Sequence, residues 1–188
     1  MSIYINGIAI LADAVVEPVS LTDAKTWLRV DYDDDNVLIN NLISAARVHI
    51  EKLTGCSLVN KVIRTNIELT GSEPMVWMVD LPYTPLNCVD EVKYKNGINM
   101  YTTLVKDQDF EIIGGKIWFY APGYYIIKYQ AGFSTLPLDL KNDILTLVAW
   151  AYENRGKKFL GNDVAATRLT EYPYWDGLNY HQYKKVVI

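Results

Sequence analysis

A chain of 188 residues, half of them hydrophobic and about a fifth charged, with a net charge of −4, suits one domain, or a helical domain carrying a β insertion. Its Lys and Arg residues form no block beyond the isolated pairs Lys157–Lys158 and Lys184–Lys185, which disfavours gripping nucleic acid through counterion release. Cys56 and Cys88 have neither metal-ligand nor redox-motif spacing and read as small buried hydrophobes in a reducing compartment, with a disulfide between them left open.

Residues 1–17 read as an extended arm in which Ile3, Ile5 and Ile8 alternate briefly. The run Ile8 to Val16 is too short to cross a membrane and is broken by Asp13, and no basic region precedes it, so neither a span nor a signal peptide is expected. Two amphipathic helices follow, joined by the acidic elbow DYDDDN. Ser20 is placed as the first N-cap, with Asp23 in the first turn. Leu21, Ala24, Trp27 and Leu28 recur at helical spacing and predict one buried face. The second helix repeats Ile39, Ile43, Ala46, Ile50 and Leu53 as a narrow seam and ends at Gly55, a C-cap.

After Gly55 the period drops to two. Ile63, Thr65, Ile67 and Leu69 alternate with polar neighbours, as in a half-buried strand. Further strands are predicted over 75–79, 89–95, 110–113, 116–120 and 124–130, with hairpin turns at Asn96–Gly97 and Gly114–Gly115. Such a series indicates a small antiparallel sheet or barrel. From Pro137 the helical period returns. Asp139 is the expected N-cap, and Leu140, Ile144, Leu147, Val148 and Ala151 form the buried stripe. The fold class is therefore α+β: a small helical bundle from 18–55 and 135–156, with a β insertion over 56–134 between its second and third helices. Residues 157–188 form a tail with no sustained period, rich in Tyr172, Tyr174, Trp175, Tyr180 and Tyr183. Ordering about thirty residues costs tens of kcal/mol, so this tail must dock, either on its own domain or on a neighbouring protein.

Candidate chemistry is thin. Asp31, Asp33 and Asp35 match positions one, three and five of a calcium loop, but Asn36 and Leu42 stand where the template needs Gly and Glu. They read better as negative charge at a helix N-terminus. His49 and His181, the only histidines, have no local nucleophile or carboxylate to frame a base. Cys56 follows a helix C-terminus, which disfavours a thiolate. Trp118, Phe119, Tyr120, Tyr124, Tyr125 and Tyr129 could stack single-stranded bases, but lack a basic groove and read as a packed sheet face. No cofactor or metal site is expected, and no catalytic residue is assigned.

Four stretches, in order, carry a family likeness: PVSLTDAK with LRVD and AAR (18–47), LP…PL..V (81–89), QAGF with LPLDLK (130–141), and YENR (152–155). Together they resemble the head–tail connector, or adaptor, proteins of tailed bacteriophages. The resemblance implies a structural protein of the virion, made in the host cytoplasm and acting without turnover. It implies a homo-oligomeric ring, typically of twelve subunits, that binds the portal protein and a downstream tail or stopper protein. Double-stranded DNA would pass through its channel without specific contacts. The resemblance further implies that the C-terminal segment engages the portal, which would make Tyr172, Tyr174, Trp175, Tyr180 and Tyr183 its docking residues. A different class of function, a small-ligand or carbohydrate-binding β module with helical flanks, would require a concave aromatic pocket within 56–134. A hydrolase would need a polar pocket around His49 or His181.

Overall fold

The computed structural model describes residues 2–13, 15–71, 76–98, 100–155 and 177–184. In chain order the elements are β1 (Ser2–Ala12), α1 (Leu21–Leu28), α2 (Asn36–Thr54), β2 (Lys61–Thr70), β3 (Trp77–Val79), β4 (Leu86–Gly97), β5 (Met100–Thr103), β6 (Phe110–Ile113), β7 (Lys116–Phe119), β8 (Gly123–Ala131), α3 (Leu138–Glu153) and a 3-10 helix, Asn179–Tyr183. The fold is α+β. It divides into two compact units: Met1–Ala14 with Asn60–Gly132, and Val15–Val59 with Phe133–Ile188.

The helical unit starts as its sequence demands. Ser20 caps α1 by accepting a bond from the Asp23 amide at 3.1 Å. Gly55 ends α2 in the left-handed conformation, at φ 71°. Ile39, Ile43, Ala46 and Ile50 of α2 pack with Leu140, Ile144, Leu147, Val148 and Ala151 of α3 in one apolar core. Three expectations fail here. Trp27 is 49% exposed because only Ala24 of α1 is fully buried, so the short helix presents a narrower face than its apolar spacing suggests. Leu53 lies at the rim of its seam, 36% exposed. Pro137, not Asp139, occupies the N-cap position of α3. Asp139, in the first turn, still accepts the Leu140 amide at 2.9 Å and bonds elsewhere as well.

The β unit contains two antiparallel sheets rather than a closed barrel. One has five strands in the order β1-β2-β8-β4-β5, and the other three in the order β3-β7-β6. The alternation read in β2 is realised: Lys61, Ile63, Thr65, Ile67 and Leu69 are buried while Arg64 and Glu68 are exposed. Opposite Ile63 and Ile67 on β8 lie Tyr129 and Tyr125, which face the same core. Gly114 and Gly115, at φ 60° and 75°, form the β6–β7 turn, where two left-handed residues in succession match the strand twist. Sequence alone makes the first residues an arm. In the structure β1 is a full strand that pairs with β2 from Ser2↔Thr70 to Ala12↔Val62, so its backbone finds partners that the local pattern does not announce.

Candidate functional site

The polar organisation of the helical unit is built by carboxylates that reach loop backbone. On α2, Arg47 and Glu51 are four residues apart, one helical turn, and pair at 3.2 Å while almost wholly buried. Arg47 Nε also donates to Glu17 at 2.8 Å, and Ser44 Oγ donates to the same carboxylate at 2.7 Å, which fixes the segment entering α1. Glu51 accepts the Leu58 amide at 2.9 Å and so fixes the segment leaving α2. One buried pair thus ties down both chain entries into the helical core.

A second carboxylate, Asp143 of α3, is 2% exposed and receives the C-terminal segment. It accepts from the Asn179 amide at 3.0 Å, the Asn179 side chain at 3.1 Å and the Tyr180 amide at 2.7 Å. The two backbone amides are orphan donors at the start of the 3-10 helix. Burial pushes the Asp143 carboxyl above the usual carboxylate range, while its bonds from Asn179 and Tyr180 pull the other way. Asp139 adds to this latch by accepting from Gln182 and, at 2.9 Å, from the Tyr183 hydroxyl. Leu178 and Tyr180 complete the apolar core of the helices, and Phe133 meets Tyr183 edge-on at 6.1 Å.

Of the five aromatic residues assigned to portal docking, Tyr180 is therefore buried in its own helical core and Tyr183 is half-buried against it. Tyr172, Tyr174 and Trp175 lie outside the described residues. Sequence reasoning passed over Asp143, Arg47 and Glu51. The signal was available: each is a charged residue at helical spacing within an apolar stripe.

The acidic elbow does not gather its carboxylates. Asp33 accepts from Lys25 at 2.8 Å and from Asn36 at 3.0 Å, and Lys25 holds its carboxyl below the usual range. Asp35 sits at the N-cap position of α2 without making a cap bond. It accepts instead from the Tyr152 hydroxyl and stands 3.9 Å from Arg155, whose guanidinium lies 4.0 Å over the Tyr152 ring. Tyr32 joins the Tyr152 hydroxyl at 2.9 Å, so the elbow is fastened to the end of α3. Lys141 and Asp23, 2.8 Å apart, fasten α1 to the beginning of α3. Among the described residues no group of three or more His, Cys, Asp or Glu side chains is placed to hold a metal ion.

His49 is half-buried, and that burial, aided by Lys52, lowers its pKa. His181 stacks on Tyr180 with ring centres 4.2 Å apart. Cys56 is buried with its thiol 3.4 Å from the Tyr183 carbonyl. Cys88 is exposed, not buried as expected, because its part of β4 passes through an irregular register between Leu86 and Val89 that breaks the in–out alternation. Neither cysteine forms a disulfide.

In the β unit a 360 Å³ depression is lined by Tyr94, Leu104, Gln108, Asp109, Tyr120, Ala121 and Tyr125. Its polar groups serve the fold. The Tyr125 hydroxyl donates to the Ala121 carbonyl at 2.7 Å, and the Asp109 carboxylate accepts the Val105 amide at 2.8 Å. Burial pushes the Tyr125 hydroxyl up to about 12. Phe119, Tyr125 and Tyr129 are core residues of the paired sheets.

The family profile described as phage gp6-like head–tail connector protein matches residues 18–178. A search of curated proteins finds no match. Among solved structures, the neck of an empty gene transfer agent particle, computed with sixfold symmetry, is similar at 16% identity over 97% of each chain, with a TM-score of 0.68. The virion of a native gene transfer agent particle matches at 18% identity over 96% of each chain, TM-score 0.67. The neck of a native particle computed with twelvefold symmetry matches at 18% over 97%, TM-score 0.66. At such identities the likeness establishes a shared fold across both the helical and the sheet units. With the family profile spanning α1 to the start of the C-terminal latch, the chain belongs to the phage gp6-like head–tail connectors, structural proteins of the virion.

Proposed function

We propose that this connector works as a closed homo-oligomeric ring at the head–tail junction, seated on the portal protein and presenting a platform to the next tail or stopper component. The family match over residues 18–178 carries this reading. The sixfold and twelvefold symmetry of the neck particles with this fold supports a cyclic arrangement and favours twelve subunits. Rings of identical subunits need heterologous contacts that close on themselves. A net charge of −4 without a basic cluster suits a wall that duplex DNA slides past, since phosphates find few cations to hold them.

Tyr180 and Tyr183 act in this reading as anchors that hold the C-terminal segment on its own helices. Portal contact falls to Tyr172, Tyr174 and Trp175, aromatic residues of the type that dominates interfaces. The test is electron microscopy of the purified chain mixed with its portal. The expected result is a ring of density beneath the portal with matching symmetry. Absence of any association at micromolar concentrations would refute the reading. A triple substitution of Tyr172, Tyr174 and Trp175 by Ala is expected to weaken portal binding at least tenfold while leaving thermal stability unchanged.

A further inference from the structure

We propose that the two free edges of the five-stranded sheet are the surfaces through which neighbouring copies of this chain join. β1 of one subunit receives the β4–β5 hairpin of the next. The inference rests on the ring reading above and names its interface.

The observation begins with β1. Among the described residues its only strand neighbour is β2, so its outer backbone groups form an open sheet edge. Natural proteins protect such edges with charge, proline, short length or bulges. β1 is eleven residues long, without a charged residue or a proline, and its only such device is the pair of register shifts at Ile5/Gly7 and Ile10/Ala12. Ile3, Ile5, Ile8 and Ile10 stand opposite Leu69, Ile67, Thr65 and Ile63 of β2, hence on the core-facing side of the sheet. The β2 residues of that row are at most 1% exposed, whereas the four isoleucines are 38–48% exposed. The apolar layer thus runs past its own cover. Tyr4 and Leu11, 53% and 49% exposed, add to the bare strand.

The opposite edge has the same character. β5 is also uncharged, and Ile98, Met100 and Tyr101 of its hairpin are 92%, 65% and 44% exposed. Two bare edges at opposite ends of one sheet fit a head-to-tail contact, which uses one edge from each copy and can close into a ring. Two β1 strands meeting would give only a dimer and would leave β5 uncovered. Because five antiparallel strands alternate in direction, β1 and β5 run the same way. A contact that continues the sheet is therefore parallel.

Area argues for a second copy as the occupant. Six large apolar side chains stand bare along β1 and three on the hairpin, more than the scattered single hydrophobics that need no partner. Joining the two edges covers both sets, toward the ~1,000 Å² that a specific interface needs. A single contact is then weak, and closure of the whole ring makes it persist.

The test uses the full chain. Ile8→Lys with Ile10→Lys, and separately Ile98→Lys with Met100→Lys, are each expected to raise the concentration for half-assembly on the portal by tenfold or more, with unchanged thermal unfolding. The hairpin pair decides the matter if the β1 pair fails to fold, because its side chains are the more exposed. In a Cys88→Ser background, Met100→Cys combined with Ile5→Cys, Ile8→Cys or Ile10→Cys should give, in at least one combination, a ladder of disulfide-linked oligomers. Rings formed normally by the hairpin variant, without cross-links in any combination, overturn the interface and leave the ring reading standing. A dimer cross-linked through Ile8→Cys alone overturns it in favour of paired β1 strands. A wild-type chain that never assembles on its portal overturns both.

Discussion

The two units solve the same problem, satisfying buried backbone, by different means. In the β unit the ladders of two sheets pair the amides and carbonyls, and Lys61 is the one buried charge among the described residues there. The helical unit has loops that no ladder can serve, and among its described residues it buries three charged side chains: Arg47, Glu51 and Asp143. Two of these are carboxylates bonded to the amides of Leu58, Asn179 and Tyr180. The helical unit is thus closed on itself by a few indispensable ions. The sheet unit is tolerant inside and unfinished at its edges. The contrast reaches both chain ends: Leu178 and Tyr180 are buried in the helical unit, while a long bare apolar strand lies near the N-terminus in the sheet unit.

The largest effect expected from breaking this contrast is at Arg47. Arg47→Ala strips Glu51, 4% exposed, and Glu17 of their shared counter-charge. Removing one partner of a buried pair costs about 3–5 kcal/mol. Urea unfolding should show a loss of this size, and the double variant Arg47→Met/Glu51→Gln should recover more than half of it. An unchanged midpoint for Arg47→Ala would mean that the pair is not what closes the helical unit.

In the β unit the sensitive point is steric. Gly123 opens β8 at φ 148°, and a Cβ there would come within 2.4 Å of the Tyr94 ring. Tyr94 cannot swing away freely, since it packs on Tyr125 with ring centres 5.3 Å apart. Gly123→Ala is expected to destabilise the sheet by about 2 kcal/mol through backbone strain and the displaced ring. Adding Tyr94→Ala should relieve the clash but not the strain, so hydrogen exchange at Ile127 and Tyr129 should recover only in part.

How much of this was legible follows the same division. Periodicity exposes elements whose burial is decided by their own stripe, so α2, α3, β2 and the Gly114–Gly115 hairpin could be read directly. β1 could not, because its pairing depends on β2, some sixty residues away, and a short alternation followed by Gly7 looks like an arm. Type and position alone make Asp139 a cap. The chain uses it for Tyr183 and Gln182, a contact set by tertiary packing. The family pattern was visible in motifs such as LPLDLK and YENR. The bare edges of the five-stranded sheet were not, since exposure at a sheet edge appears only once strand order is known.

A smaller effect is expected at the latch. Asp143→Asn keeps one acceptor oxygen and loses the other, against three donors. The loss should be about 1 kcal/mol and confined to the 3-10 helix. It should appear as faster hydrogen exchange at Tyr180 and new protease cleavage near Asn179, with the sheet unaffected. Because burial raises the Asp143 pKa, its contribution is greatest in acid and is lost as pH rises through the raised value. The wild type should therefore gain on Asp143→Asn as pH falls toward 3.8. If Asp143→Asn also loosened β8, the two units would share a latch and the comparison would fail.

The smallest effect concerns pH near neutrality, where the units should again part. Both histidines belong to the helical unit, and burial, with Lys52 adding repulsion, lowers the pKa of His49. As pH falls through 6.5 the unfolded chain takes up a proton before the folded chain does, so the stability contributed by neutral His49 is present above 6.5 and is lost below it. The slope for the helical unit should stay well under the ~1.4 kcal/mol per pH unit of a full proton. Hydrogen exchange at Ile43 and Ile50, compared between pH 7.5 and 5.5 after correction for intrinsic exchange rates, should report it. His49→Gln should remove most of that slope. Ile67 and Ile127 in the sheet should show little of it, because that unit has no histidine, the one side chain whose ordinary pKa lies in this window. An equal slope in both units would mean that they unfold as one.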